Sequence, residues 1–181
     1  MKRFLCISIF SSVLLTGCNI KGLTSGYKKL SAKERSAIKN ADTIHTAEIE
    51  NGHIYEITGA VLKKAIKQEP GSLVYLWVPH CSGARCYPLS TFVSFAKQHS
   101  QKIYIVADAY EMTDINAQLT DQYPVYIINA SAYHSNMRMR YRTAFVKELV
   151  GNNSPADSVL YAGCLFFKHD TLQKATLDLY K

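Results

Sequence analysis

The sequence predicts an α/β fold in which a central sheet is flanked by helices. Two short apolar runs, residues 73–78 and 102–107, are rich in β-branched and aromatic residues, which is typical of strands buried on both faces. Segments with helical apolar spacing lie before and between them, at residues 59–68 and from Pro88 onward. Strands that alternate with helices along a chain are the pattern of a layered α/β domain.

Length and composition are consistent with one globular domain behind an export segment. The chain has 181 residues, 48% of them hydrophobic and 19% charged, so it can bury a substantial core and is not disordered. The net charge is +7, and without Lys2 and Arg3 of the leader it is +5. No basic stripe with interleaved aromatic residues is present, so we expect no nucleic-acid partner. Attraction to anionic lipid headgroups explains the mild positive charge more simply.

The first 17 residues have the features of a bacterial export signal. Lys2 and Arg3 precede the apolar stretch 4–15, which is too short to span a membrane as a stable helix. Leu15 to Cys18 resembles the bacterial lipobox, which implies cleavage before Cys18 and lipid on its thiol. The alternative is an ordinary signal peptide with a chance cysteine.

This interpretation divides the chain into three parts. We expect a lipoprotein signal peptide at residues 1–17, a lipid-anchored tether at 18–30 and a folded domain at 31–181. The mature protein would be held in the bacterial cell envelope and would face the periplasm. Cysteine pairs persist as disulfides in such an oxidising compartment.

The first elements of the domain are predicted from their end signals. Ser31 and Glu34 have the spacing of a capping box, which predicts a helix from there to near residue 40. Asn51 and Gly52, between two alternating runs, predict a β-hairpin over residues 43–58. Thr58 is predicted to cap the helix 59–68.

The second half of the chain continues the alternation. Thr113 is predicted to cap a short helix, and Pro124 to lead into a strand over residues 123–129. A helix over 139–150 is predicted to end at Gly151, since glycine readily adopts the left-handed conformation that ends helices. A strand over 158–167 and a turn at 168–170 complete the prediction.

Cys81 and Cys86 lie between the buried strand, which Pro79 ends, and the helix that Pro88 opens. The N-terminus of a helix lowers the pKa of a nearby thiol. On one regular helix the five-residue separation would place the sulfurs roughly 140° apart, too far around the axis for a disulfide. Gly83 and the helix start at Pro88 instead favour a loop, in which a disulfide can close.

This stretch resembles the thioredoxin superfamily, in which Trp77 would stand four residues before the first cysteine of the redox pair. The family has two residues between its cysteines, whereas this chain has four. The resemblance extends from about residue 54 to the C-terminus. It implies a thioredoxin-like three-layer sandwich with a central mixed sheet, flanking helices, and an N-terminal extension of helix and strand. It also implies thiol–disulfide exchange with the thiols or disulfides of exported proteins, without a cofactor.

The resemblance assigns roles to individual residues. Cys81 would be the nucleophile and Cys86 would resolve the mixed disulfide, while His80 and Arg85 would favour the thiolate electrostatically. The family carries a cis-proline packed against its cysteine pair, and Pro124 is the candidate for that position. In a second alignment, Ala162 or Gly163 takes that place and Cys164 lies near the cysteine loop.

Two alternatives remain open. The cysteines could form a structural disulfide in a non-catalytic binding or assembly module, and the four-residue spacing favours that interpretation. They could also bind copper together with His80 and a remote histidine, His134 or His169, as in copper-delivering relatives of thioredoxin. The spacing matches no zinc signature.

Two further features have simpler interpretations. The run 137–142 carries three arginines beside aromatic residues and could meet lipid headgroups or a partner, but a solvated basic helix start is favoured. Cys164 lies in an apolar run and is interpreted as a small buried hydrophobe.

Overall fold

A computed structural model describes residues 22–43, 48–81, 83 and 86–179 of the chain. The predicted signal peptide, the lipid site at Cys18 and the supporting role of Arg85 lie outside the described residues. Within these ranges, no helix combines the length and the apolar character that crossing a membrane requires.

The centre of the fold is one mixed sheet, which confirms the predicted mixed α/β architecture. The described residues contribute seven strands to it, in the order β1-β2-β5-β4-β3-β6-β7. The first five strands in that order are parallel, and β6 and β7 are antiparallel to their neighbours. The strands are β1 (Ile38–Asn40), β2 (Ile54–Ile57), β3 (Ser72–Trp77), β4 (Lys102–Ala107), β5 (Val125–Ile128), β6 (Cys164–Lys168) and β7 (Thr171–Thr176).

Helices cover both faces of this sheet. The connections β2–α2–β3 and β3–α3–β4 run in opposite directions across the sheet, so right-handed crossovers place α2 and α3 on opposite faces. α5 packs against α2. The helices are α1 (Ala32–Ser36), α2 (Gly59–Lys67), α3 (Leu89–Gln98), α4 (Met112–Gln118), α5 (Arg138–Val150) and α6 (Asp157–Leu160).

Several predicted helix ends are confirmed by their hydrogen bonds. Ser31 and Glu34 form both bonds of a capping box at the start of α1. The hydroxyl of Thr58 accepts a bond from the Val61 N–H, and it therefore satisfies one of the unpaired donors at the start of α2. Gly151 ends α5 with φ of +68°.

The two faces of the sheet bury different side chains. α2 and α5 contribute the fully buried Leu62, Ile66 and Phe145 to one face. On the other face, the ring of Tyr75 in β3 stacks on Phe92 of α3 with 3.6 Å between centroids. β3 is therefore packed on both sides, as its unbroken apolar sequence predicted.

The predicted hairpin around Asn51 is wrong for the residues that the structure describes. Asn51 and Gly52 do form a turn, and Gly52 has φ of +74°. However, residues 48–50 form no strand, and β2 is paired in parallel with β1 on one side and with β5 on the other. Because both edges of β2 are occupied, no hairpin partner can add to it.

Three predicted boundaries are also wrong. α1 ends at Ser36, because the following residues pair with β2 as β1. Thr113 does not cap α4, because the helix already begins at Met112, whose side chain is buried in the core. The predicted strand 158–167 begins only at Cys164, where pairing with Tyr75 of β3 starts, and α6 occupies the residues before it.

The packing of α2 on α5 yields a test of this architecture. A Cβ at Gly59 would overlap the carbonyl oxygen of Phe145 and lie 2.9 Å from Glu148 Cβ. We expect Gly59→Ala to lower the free energy of unfolding by about 1–3 kcal/mol, because the helices must separate to admit the methyl group. Urea denaturation measures this change. A Cβ at Gly71 meets no atom nearer than 3.7 Å, so Gly71→Ala serves as the control. Equal stability of the two variants would contradict the described packing.

Candidate functional site

The cysteine pair lies in the loop between the end of β3 and the start of α3. The Cys81 N–H donates to the Val78 carbonyl at 3.0 Å, and the Cys86 N–H donates to the Gly83 carbonyl at 2.9 Å. The two cysteine Cα atoms are 5.7 Å apart and the sulfurs lie at bonding distance, so the pair forms a disulfide. α3 begins only at Leu89, which leaves the pair outside any regular helix.

The two cysteines differ in their surroundings. Cys81 is exposed, whereas Cys86 is half-buried. The Gly83 N–H points at the sulfur of Cys86 with 3.1 Å between N and Sγ. A donor so placed stabilises negative charge on that sulfur when the disulfide is opened.

His80 connects the cysteine loop to the beginning of the described chain. A Cβ on Gly22 would lie 2.9 Å from the ring Nε2 of His80, so the imidazole lies against the Gly22 backbone. The ring is half-buried, and its Nδ1 has no hydrogen-bond partner within the described part of the chain.

A buried ion pair lies beside this loop. Asp108 follows β4, is fully buried, and its N–H donates to the Trp77 carbonyl at 3.0 Å. The guanidinium of Arg138 donates to its carboxylate at 2.6 Å, and the Tyr141 hydroxyl donates to its carbonyl oxygen. Burial raises the pKa of Asp108 because it desolvates the charged carboxylate, whereas Arg138 acts in the opposite direction.

A second arginine extends the cluster toward β6. Arg142 lies one turn after Arg138 on α5, is buried, and donates to the Ala162 carbonyl at 2.6 Å. Burial lowers the pKa of Arg142, and the nearby Asp108 opposes that change. Asp108 Oδ1 and the Nε atoms of Arg138 and Arg142 are buried without a hydrogen-bond partner among the described residues.

The described part of the predicted tether, residues 22–30, is bonded to this cluster. Arg138 donates through its guanidinium to the Gly22 carbonyl at 3.3 Å and through its N–H to the Leu23 carbonyl at 3.0 Å. The Tyr110 N–H donates to the Ser25 carbonyl at 2.7 Å. The segment is therefore held against α5 and against the residues that follow β4.

Other predicted site residues lie in different places. Trp77, the last residue of β3, is 3% exposed and belongs to the core. Pro124 precedes β5 and lies at the amino end of the parallel strands, whereas the cysteines follow a carboxyl end. No peptide bond between described residues is cis, so Pro124 is trans and the structure does not bring it to the cysteines.

The second alignment places residues nearer the loop. The Gly163 carbonyl accepts from the Leu76 N–H at 2.8 Å, next to the end of β3. Cys164 is buried opposite Tyr75 and is not bonded to the cysteine pair. Burial raises the pKa of its thiol to about 12, which makes it unreactive as a nucleophile at neutral pH.

The copper interpretation finds no assembled ligand set. In the described ranges, no three His, Cys, Asp or Glu side chains gather around a point where a metal could bind. His169 lies in the turn between β6 and β7, at the opposite end of β3 from Cys81. His134 is exposed in a turn after β5.

The interpretation of residues 137–142 as a solvated helix start is wrong for two of its three arginines. Arg140 is exposed, but Arg138 and Arg142 point inward with Tyr141. The sequence does contain a signal for this inward orientation, because the two arginines are one helical turn apart on the side of α5 that carries its apolar residues.

Comparisons with models of known protein families, with curated proteins and with solved structures find no match to this chain. Functional conclusions therefore depend on the chain's own residues. The two features that bear on function are the disulfide at the end of β3 and the buried charges beside it.

The ion pair predicts a pH-dependent defect. We expect Arg138→Gln to lower the free energy of unfolding at neutral pH by about 3–5 kcal/mol, because Asp108 would remain buried without its cation. The defect should shrink as the pH falls, since protonation of Asp108 removes the unpaired charge, and a raised pKa makes this proton bind more readily to the folded state. Denaturation at several pH values measures both effects.

Arg140→Gln provides the matched control, because Arg140 is exposed on the same helix. We expect it to change stability by less than about 0.5 kcal/mol at every pH. A pH-independent loss in Arg138→Gln would show that packing of the arginine, and not its charge, stabilises this region.

Proposed function

We propose that this chain is a lipid-anchored bacterial envelope protein whose thioredoxin-like domain exchanges thiols and disulfides with exported proteins. The observation that carries the proposal is the asymmetric disulfide after β3, in which Cys81 is exposed and Cys86 is half-buried. Exchange requires one sulfur that a partner's thiolate can reach, and a second sulfur that serves as the leaving group and later resolves the mixed disulfide.

The exchange step follows from this asymmetry. A thiolate of the partner attacks Sγ of Cys81, the Cys81–Cys86 bond breaks, and its electron pair leaves on Sγ of Cys86. The Gly83 N–H stabilises that charge. A second thiolate of the partner then attacks the partner sulfur of the mixed disulfide and releases Cys81 as a thiolate. The partner gains a disulfide and the pair becomes a dithiol; the reverse sequence reduces a partner disulfide.

The arrangement of elements supports the thioredoxin-like part of the proposal. The cysteine loop joins a buried central strand, β3, to helix α3, and the terminal hairpin β6–β7 pairs antiparallel to β3. α1 and β1 precede this unit as an N-terminal extension. Two features depart from the family pattern: four residues lie between the cysteines, and no peptide bond between described residues is cis.

The second candidate is a non-catalytic binding module in which the same disulfide is structural. The buried cluster of Asp108, Arg138 and Arg142 favours it, because Arg138 bonds to Asp108 and Arg142 bonds to the Ala162 carbonyl, so these charges hold separate segments of the fold together. Under this hypothesis, Cys81→Ser and Cys86→Ser leave cellular function intact.

A redox titration distinguishes the two candidates. We expect thiol trapping of the full-length chain to show Cys81 and Cys86 titrating together, at a potential above the roughly −300 mV below which structural disulfides lie. Cys86→Ser should trap partner proteins as mixed disulfides through Cys81, because the resolving thiol is absent.

Cys164→Ala is the control for that titration, since Cys164 is buried and outside the pair. The reduction potential of the Cys81–Cys86 pair in this variant should equal that in the unsubstituted chain. A pair that stays oxidised well below the stated potential, together with full cellular function in Cys81→Ser, would reject the exchange activity and support the binding module.

The anchor is tested separately. We expect a labelled fatty acid to be incorporated into the full-length chain in a bacterial host, and Cys18→Ser to abolish that incorporation because the lipid-bearing thiol is lost. Cys6→Ser is the matched control, since Cys6 belongs to the leader and would be removed with it. Equal labelling of Cys18→Ser and Cys6→Ser would exclude Cys18 as the lipid site.

A further inference from the structure

The exposed large apolar side chains of the described residues are unevenly distributed. Scattered single examples are normal on a protein surface, whereas a group of them indicates an interaction surface. All of them lie at the end of the sheet where the parallel strands finish. They are Leu23, Tyr27, Met137, Met139, Tyr161 and Leu177.

The topology places each of these residues at that end. Met137 and Met139 lie at the start of α5, and the Leu23 carbonyl accepts from the first N–H of that helix. Tyr27 packs edge-on against Tyr110, which comes shortly after β4. Tyr161 precedes β6 and Leu177 follows β7, so both flank the terminal hairpin at the same end of the sheet.

Positive charge accompanies this apolar surface. A groove of about 430 Å³ lies along the outer side of α5, and its lining contains two basic side chains and no acidic one. The exposed Arg140 is one of the two. The lining residues are Met139, Arg140, Thr143, Ala144, Lys147 and Tyr161. Apolar and aromatic residues interleaved with arginine and lysine are typical of surfaces that lie in the headgroup region of a bilayer.

The length of chain before the described residues limits how far this end can lie from an anchor. Gly22 is the fourth residue after Cys18, so even in a fully extended chain their Cα atoms lie at most about 14 Å apart. Gly22 is held beside Arg138 and His80 at the same end of the sheet. A lipid on Cys18 therefore brings this end of the domain to the membrane.

We propose that this end of the domain lies on the surface of an anionic bilayer, with Met139 and Tyr161 in the headgroup region and Arg140 on lipid phosphates. The proposal rests on the lipid attachment at Cys18 that is part of the proposed function. A basic and apolar surface beside the anchor would add its own electrostatic and apolar contributions to membrane binding. The exposed Cys81, next to His80, would then face thiols close to the membrane.

Tryptophan reporters test the contact on the full-length chain, reconstituted in vesicles of phosphatidylcholine and brominated phosphatidylglycerol. Met139→Trp and Tyr161→Trp place the reporter at exposed positions of the proposed surface. Gln122→Trp is the control, because Gln122 is exposed before β5 at the opposite end of the sheet. The buried Trp77 supplies a constant background, measured in the unsubstituted chain.

We expect the bromine atoms to quench the first two reporters and shift their emission to the blue, while the control keeps its fluorescence. Equal quenching at all three positions, or none at either surface position, would overturn the proposal. A blue shift without quenching would show that a protein, such as a second copy of the chain, covers this surface, and would also overturn it.

The charge of the surface is tested in the Met139→Trp background. Adding Arg140→Gln should reduce quenching, and so should raising the salt concentration, because both weaken attraction to phosphatidylglycerol. Lys168→Gln removes an exposed lysine at the other end of the sheet and should leave quenching unchanged.

The outcomes separate this proposal from the anchor itself. If Cys18 carries fatty acid but the three reporters behave alike, the surface contact fails and the lipid attachment stands. If Cys18 carries none and anionic vesicles still quench the two surface reporters, the attachment fails and the surface contact stands.

Discussion

The geometry at the carboxyl end of the sheet depends on the buried ion pair between Asp108 and Arg138. Asp108 is the first residue after β4 and Arg138 is the first residue of α5, so one 2.6 Å contact joins strand to helix. The same guanidinium donates to the Gly22 carbonyl, which adds the N-terminal segment. A charge in the interior is costly unless it is paired, so this contact disfavours other arrangements of the three segments.

This constraint determines what lies beside the disulfide. The Gly22 backbone, held by Arg138, packs against the ring of His80, the residue before Cys81. Arg142 reaches the Ala162 carbonyl just before β6, which pairs with β3, the strand that leads to the cysteines. In sheets with parallel strands, functional groups often lie beyond the carboxyl ends, and here the cysteine loop, the buried charges and residues 22–30 all lie there.

The accuracy of the sequence predictions depended on the range of the interaction involved. The capping box at Ser31, the cap at Thr58 and the end of α5 at Gly151 were predicted correctly, because each involves residues only a few positions apart. The hairpin at Asn51 failed because its turn signal is local, whereas the occupation of both edges of β2 by β1 and β5 is not. Pro124 was proposed beside the cysteines although the sheet register places it at the other end.

The sequence alone determined the alternation of strands and helices, the buried character of β3 and the position of the cysteine pair between β3 and α3. These properties follow from apolar periodicity and from end signals, which act within about one element's length. Only the tertiary structure decided the strand order, the approach of Cys81 to Cys86 and the inward direction of Arg138 and Arg142. Whether an arginine near a helix start is solvated or buried depends on whether a carboxylate from another part of the chain lies beside it. The position of that carboxylate, here Asp108 after β4, depends on the packing of the whole sheet.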